Sequence, residues 1–416
     1  MKQITGLLAD KPRVNRVFTL LCFAAPPAAG SVVSFLFNGG GLACFANVLT
    51  GRVALSKLRD VRIISLLFLG YVACCLLAAL MNGSAFRKPT ELLSLATFAF
   101  FPFSYAYWSI SVKKDVISSI VWGSAIACVS GLAVAVAQAV MHPGIRVEGG
   151  AGNALVFATV TVIAISVVLA GIMLGGNSRR PILGGFAFCG VLALVLSQSR
   201  SPLLMLAVNA LMLMIVFGGA RWLRRLWLPV TAVVLLLAAM LASGVDLPFI
   251  SPRFHEVITN WKQVRDQGNY DSSAGLRLAI WEIGFEMWKE APWFGHGRQF
   301  AAEEMGRRLV EIYGIDRSFT HFHNFLLQAL VQNGVLGLLS LLALLGFGGW
   351  LAFKTLKTSQ DDERRFGAAL MLIVLVTYIG AGITNIMFGH DILDAVFMIC
   401  MVPGVYLAVG RSMAVP

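Results

Sequence analysis

The chain has 416 residues, 58% of them hydrophobic and 13% charged, and its mean hydropathy is +0.78. Soluble globular chains carry about 25% charged residues, so this composition excludes a water-soluble fold and specifies an integral membrane protein. The net charge of +12 does not signal nucleic acid, because the basic residues sit in short clusters between apolar runs, as the positive-inside rule arranges them.

A membrane span takes about 20 mostly apolar residues. Twelve stretches qualify: 17–37, 39–55, 61–81, 91–111, 115–141, 154–174, 182–198, 202–219, 228–244, 324–353, 366–388 and 395–410. The second is short and glycine-rich, and "NGGG" (38–41) joins it to the first. The predicted fold class is therefore all-α, with about twelve transmembrane helices. With the N-terminus in the cytoplasm, short connections on that side collect most of the 33 basic residues, among them Lys11, Arg62, Lys114, Arg179, Arg225 and Arg365. Both termini are then cytoplasmic. No cleavable leader is expected, since the first apolar run lacks a clear small-residue cleavage site. The seven cysteines all fall inside apolar runs and read as small buried apolar residues, not as disulfides or metal ligands.

This divides the chain into spans one to nine (1–244), one large outer loop (245–323) and spans ten to twelve (324–416). A loop of that length is too long to be structureless. Residues 275–297 read as an amphipathic helix stopped near Pro292, and 301–315 as a second. In the second, Glu303–Arg307 and Glu304–Arg308 stand at helical i,i+4 spacing. All six histidines, and the polar "GHDILD" (389–394), fall on the outer side. Any chemistry faces out.

Three stretches carry candidate residues. In "SQSRSPLL" (197–204), Ser201 and Pro202 read as an N-cap and first-turn pair for a span whose positive dipole end points outward beside Arg200. That combination suits an anion, although an interfacial arginine snorkelling to headgroups would look the same. On the loop helix, Arg277, Trp281, Gly284 and Trp288 share one face, away from Glu282, Glu286 and Lys289. An arginine turned from water calls for an anion; stacking on Trp281 is the alternative.

In "THFHNFLLQALVQNG" (320–334), His321, His323 and Asn324 sit where the N-terminus of span ten emerges. That dipole disfavours imidazolium and holds a histidine neutral, as a general base must be. Capping or interfacial histidines, or zinc with His390, Asp391 or Asp394 as further ligands, are the other readings. Together, cations for a leaving diphosphate and a neutral histidine for an incoming hydroxyl suit transfer from a lipid diphosphate, with no metal required. A transporter is the competing class, but almost no ionisable residue sits mid-span.

"SQSRSPLLMLAVN" (197–209) resembles the serine–arginine segment of the O-antigen ligase and polymerase superfamily. Arg277, Trp281, Pro292, Gly295 and Gly297 match its arginine–tryptophan and "P…G.G" pattern, and "HNFLLQALVQNGVLG" (323–337) matches its histidine–asparagine span start. The motifs run in order from about 197 to 337, while the first half of the chain matches only in hydropathy. The resemblance implies a GT-C-like, twelve-span glycosyltransferase of the bacterial inner membrane, acting on undecaprenyl-diphosphate-linked glycan at the periplasmic face. In the ligase branch the acceptor is a sugar of lipid A–core. By motif position Arg200 and Arg277 would bind the diphosphate, with Arg146 of "HPGIRVEGG" a further candidate. His323 would be the base and His321 a second catalytic histidine. Inversion without metal or cofactor follows. One large late loop and moderate length point to the ligase branch rather than to polymerases or protein O-oligosaccharyltransferases.

Overall fold

The computed structural model describes residues 11–82, 89–175, 179–218, 264, 266, 270–317 and 319–410. The expected span 228–244, and the loop before Tyr270 apart from residues 264 and 266, lie outside them. The described residues are helical and contain no strand. In chain order the helices are α1 (Lys11–Ala24), α2 (Pro26–Ala29), α3 (Val32–Leu49), α4 (Arg59–Met81), α5 (Pro89–Ala99), α6 (Phe101–Trp108), α7 (Lys113–Met141), α8 (Ala154–Leu174), α9 (Arg180–Leu196), α10 (Arg200–Gly218), α11 (Ser273–Glu290), α12 (Arg298–Tyr313), α13 (Phe325–Thr358), α14 (Asp362–Gly382) and α15 (Asp391–Val409). Eight of these are long and apolar enough to cross a membrane: α3, α4, α7, α8, α10, α13, α14 and α15. The chain is a multi-pass membrane protein.

It forms two compact units. The first comprises Met1–Leu76, Phe86–Phe217 and Leu339–Pro416; the second comprises Leu77–Ala85 and Gly218–Leu338.

In the first unit, proline and glycine redraw two expected spans. The run 17–37 is broken at Ala25, where Pro26 and Pro27 start a new turn, and the chain turns at Gly30. Proline lacks the N–H that would continue the ladder. The run 91–111 likewise splits into α5 and α6, with Pro102 in the first turn of α6. The glycines of "NGGG" are not a connection but the middle of α3. A Cβ on Gly40 would lie 2.5 Å from the Phe18 ring, and one on Gly41 would lie 2.6 Å from the Phe100 ring. These glycines let aromatic side chains reach the helix backbone, a use that resembles a linker in sequence.

Helices α14 and α15 are buried along nearly their whole length, and Phe68, Phe98, Phe101, Tyr378, Phe388 and Phe397 pack ring against ring around them. The outward faces of α3 and α4 are hydrocarbon-like instead: Phe35, Leu49 and Leu66 are about 70% exposed. Polar groups inside the bundle are mostly neutral, and several pair across helices. Asn209 Nδ2 donates to Thr377 Oγ1 (2.8 Å) and Ser166 Oγ (3.1 Å), Thr97 Oγ1 to Asn38 Oδ1 (3.0 Å), and Trp108 Nε1 to Thr19 Oγ1 (2.9 Å). Such pairs hold spans together where water cannot. Two buried charged residues, Lys113 and Asp394, stand in the first turns of α7 and α15 rather than mid-span.

In the second unit α11 and α12 pack as a pair. Ala279, Ile280, Ile283 and Met287 of α11 meet Ala301, Met305 and Leu309 of α12 in a closed apolar core. Their extents match the two expected amphipathic helices. On the surface, Arg308 pairs with Glu304 as the spacing predicts (2.6 Å). The expected Glu303–Arg307 pair is not formed: Arg307 takes Glu304 and Glu311, and Gln299 donates to Glu303.

Between α11 and α12, the segment Pro292–Gly297 lies along the start of α13. His296 N donates to Val331 O (2.8 Å), Gly297 N to Gln332 O (2.9 Å), and Val335 N to Pro292 O (2.8 Å). Helix α13 is interrupted at Gly334, whose φ of 67° and ψ of −170° belong to a region open essentially to glycine alone. A Cβ there would run into the backbone of Trp293 and Phe294. Gly334→Ala is therefore expected to lower the inactivation temperature of the detergent-solubilised protein by about 5 °C, since such strain is worth about 1–3 kcal/mol. An unchanged half-life on heating would show that the break is not required.

Candidate active site

Four contacts in the second unit fix the backbone that carries the histidines. Asn324 caps α13, its Oδ1 accepting from Leu326 N (3.0 Å) and Leu327 N (3.1 Å). This is the start expected from the sequence. Just before it, the Phe322 ring is buried against Gly284, its N–H donates to Gln328 Oε1 (2.8 Å), and its carbonyl accepts from Trp281 Nε1 (2.9 Å). With Phe322 held at ring, N–H and carbonyl, and Asn324 held by its cap, His323 between them takes φ 50°. A non-glycine residue in that region carries strain of about 1–2 kcal/mol, sustained here by the bonds on either side.

His323 is partly buried, with its ring 4.2 Å from the His321 ring and 5.8 Å from the Phe319 ring. The His321 Nδ1 lies 3.0 Å from Thr320 Oγ1. Burial, and then the positive charge of Arg277, lower the His323 pKa to about 4. The imidazole is neutral at physiological pH, as a base must be. The sequence argument credited the helix dipole; the apolar surroundings and the nearby guanidinium act in the same direction.

Arg277 is partly buried, and that burial lowers its own pKa. Among the described residues no carboxylate pairs with it, and it does not stack on Trp281, whose indole is committed to Phe322. A partly desolvated guanidinium is a group that a nearby anion would stabilise. The sequence had placed Arg277 and Trp281 on one face but offered no sign of the separate tasks they perform. Gln328, which holds Phe322, was likewise missed; its one signal is a glutamine inside an apolar run.

Arg146 and Arg200 belong to the first unit, where Arg146 bonds to the residues just ahead of Arg200. Arg146 Nη2 donates to Ser199 Oγ (2.9 Å) and its Nε to Ser197 O (3.4 Å). Arg200, the next residue along, opens α10. Both arginines are exposed. The expected cap at Ser201 is corrected: α10 begins one residue earlier, so Ser201 is inside the first turn. There Pro202 removes only an N–H that has no partner anyway. Ahead of the helix, Gln198 takes φ 52°. Gln198 and His323 are the two non-glycine residues with positive φ among those described, and each stands in one of the singled-out motifs.

The further metal ligands considered from sequence are otherwise engaged. Asp394 is buried, accepting from Ser94 Oγ (2.7 Å) and Gly389 N (3.0 Å), and His390 Nδ1 lies 3.3 Å from Asp391. Among the described residues, no three of histidine, cysteine, aspartate and glutamate gather where they could hold a metal ion.

Residues 185–342 match a family model described as O-antigen ligase. That stretch includes Arg200, Arg277, His321 and His323 and leaves out Arg146. The O-antigen ligase of Escherichia coli (strain K12) is 26% identical over 259 residues, covering 59% of this chain and 56% of that protein. The exopolysaccharide production protein ExoQ of Rhizobium meliloti (strain 1021) is 33% identical over 112 residues, or 25% of this chain and 26% of that protein. The matched region thus spans little more than half the length of the first relative and about a quarter of the second. The family met through the motifs and the family met through these comparisons are the same.

Proposed function

We propose that this chain, a relative of the O-antigen ligases, is a glycosyltransferase that moves glycan from undecaprenyl diphosphate to a sugar hydroxyl of lipid A–core. It does so at the periplasmic face of the inner membrane, in a twelve-span, GT-C-like protein with both termini cytoplasmic. The observation that carries this reading is the pairing of a neutral, strained His323 with an anion-seeking Arg277. His323 takes the proton of the acceptor hydroxyl as its oxygen attacks the anomeric carbon. Arg277, with Arg200 and Arg146, receives the charge that builds on the departing diphosphate. A single displacement inverts the anomeric centre, and the roles assigned to these residues involve no metal. His321, beside His323 and in contact with Thr320, is the second histidine, placed to pass the proton to water.

A pH profile tests the base. Since the folded pKa is lowered, the active neutral form persists as pH falls below 6.5 and is lost only near 4. The acid limb of kcat/KM, which reports the free enzyme, is expected near pH 4. Bound diphosphate neutralises Arg277, so the limb in kcat should lie at higher pH. A kcat/KM limb near 6.5 would remove His323 as the base. The same shift makes stability fall as pH drops from 6.5 towards 4, where the unfolded chain takes up a proton that the folded one refuses.

The similarity to an exopolysaccharide production protein favours chain polymerisation as the second reading. One assay separates the readings: purified protein with undecaprenyl-diphosphate-linked glycan and either lipid A–core, a peptide or no acceptor, each with and without EDTA. Glycan on lipid A–core in EDTA is the expected result. Longer undecaprenyl-linked chains would mean a polymerase, and a modified peptide an oligosaccharyltransferase. No product from folded protein and a competent donor would return the transporter.

A further inference from the structure

A cleft of about 270 Å³ in the first unit is ringed by four charged side chains, Lys114, Arg179, Asp362 and Glu363. It lies where α7, α9 and α14 begin and α8 ends. Its walls are apolar, with Trp122 and Leu183 among them. Elsewhere this chain pairs several neighbouring opposite charges, among them Arg16 with Asp115, Lys354 with Asp60, and Arg308 with Glu290 and Glu304. Around the cleft it does not. Among the described residues none of the four makes an ion pair or side-chain hydrogen bond.

We propose that this cleft binds a membrane glycerophospholipid with a zwitterionic headgroup bearing a primary ammonium, the chemistry of phosphatidylethanolamine. Lys114 and Arg179 take the phosphate, Asp362 and Glu363 take the ammonium, and the apolar walls take the start of an acyl chain. Each part of the ligand answers a feature of the cleft. A free phosphate would leave the carboxylates unmatched and the walls bare. An anionic lipid such as phosphatidylglycerol would meet the same carboxylates without a cation to offer them. The positive-inside topology puts this end of the bundle in the cytoplasmic leaflet, so the site is separate from the proposed periplasmic chemistry and does not rest on it.

The test uses the full chain, purified in detergent, stripped of lipid and given equal amounts of phosphatidylethanolamine and phosphatidylglycerol of matched acyl chains. Bound lipid is read by native mass spectrometry. Preferential retention of phosphatidylethanolamine by about fivefold is expected, from the scale of one charge contact near a membrane surface. Asp362→Asn with Glu363→Gln should reverse the preference towards phosphatidylglycerol. Ser118→Trp, at an exposed position lining the cleft, should reduce retention of both. Size exclusion and helical circular dichroism confirm that the variants fold. Equal retention of the two lipids, or a preference that both variants leave untouched, would overturn the proposal.

Discussion

His323→Ala is expected to lower transfer by about 10²–10⁴-fold, the usual contribution of a positioned general base, while the protein inserts and folds. The side chain is partly buried and, among the described residues, its ring contacts are with His321 and Phe319, so its loss removes little packing. Alanine is poorly suited to φ 50°, which makes His323→Asn the informative companion, because asparagine tolerates that backbone yet cannot accept the proton as imidazole does. Both variants should show wild-type inactivation temperatures within a few degrees and a matching loss of kcat. If His323→Asn retains wild-type turnover, the base is elsewhere, and His321→Ala becomes the deciding variant. Should His323 be the base, His321→Ala should reduce the rate by a smaller factor.

Arg277→Lys is expected to cost about 10–100-fold in kcat/KM. Lysine keeps the charge but loses the planar pair of donors that meets two phosphate oxygens at once, a difference of about 1.5–3 kcal/mol for hydrogen bonds to a charged group. Because the positive charge remains, the acid limb of kcat/KM should stay close to that of the wild type. Arg277→Gln removes the charge as well, and its limb should move upward, since Arg277 is the second cause of the low His323 pKa after burial. Wild-type kinetics in Arg277→Lys would reduce Arg277 to a structural residue. A limb unmoved in Arg277→Gln would separate the two groups electrostatically.

Helices announced by periodicity and a cap were legible in the sequence. The stop near Pro292, the start at Asn324 and the pairing of Glu304 with Arg308 all follow from local chemistry that no distant contact overrides. What failed was chemistry with two meanings. Three successive glycines read as a flexible connection because the aromatic rings that need them, Phe18 and Phe100, lie far along the chain. Ser201 before Pro202 read as a cap because the sequence gives no hint that α10 begins at Arg200, two residues before Pro202. At the site, residue types, order and a neutral histidine were readable, whereas the part that burial and the Arg277 charge play in lowering the His323 pKa was not. Strain at Gln198 and His323 was equally invisible, since positive φ is uncommon in any non-glycine residue.

The run of backbone bonds between Pro292–Gly297 and Val331–Val335 has an evolutionary consequence. It is built from main-chain atoms, and its glycines serve clearance and torsion, not reaction. A Cβ on Gly295 would come within 2.5 Å of the Gln332 carbonyl carbon, as one on Gly334 would strike Trp293. Glycines of this kind answer to the fold, and a descendant that had lost all catalysis would still lose stability by replacing them. Under the proposed function Arg277 and His323 answer to the opposite pressure, their desolvation and the positive φ of His323 being offset by turnover. In a lineage turned pseudoenzyme they should erode first, leaving the glycines behind as a fossil of the fold.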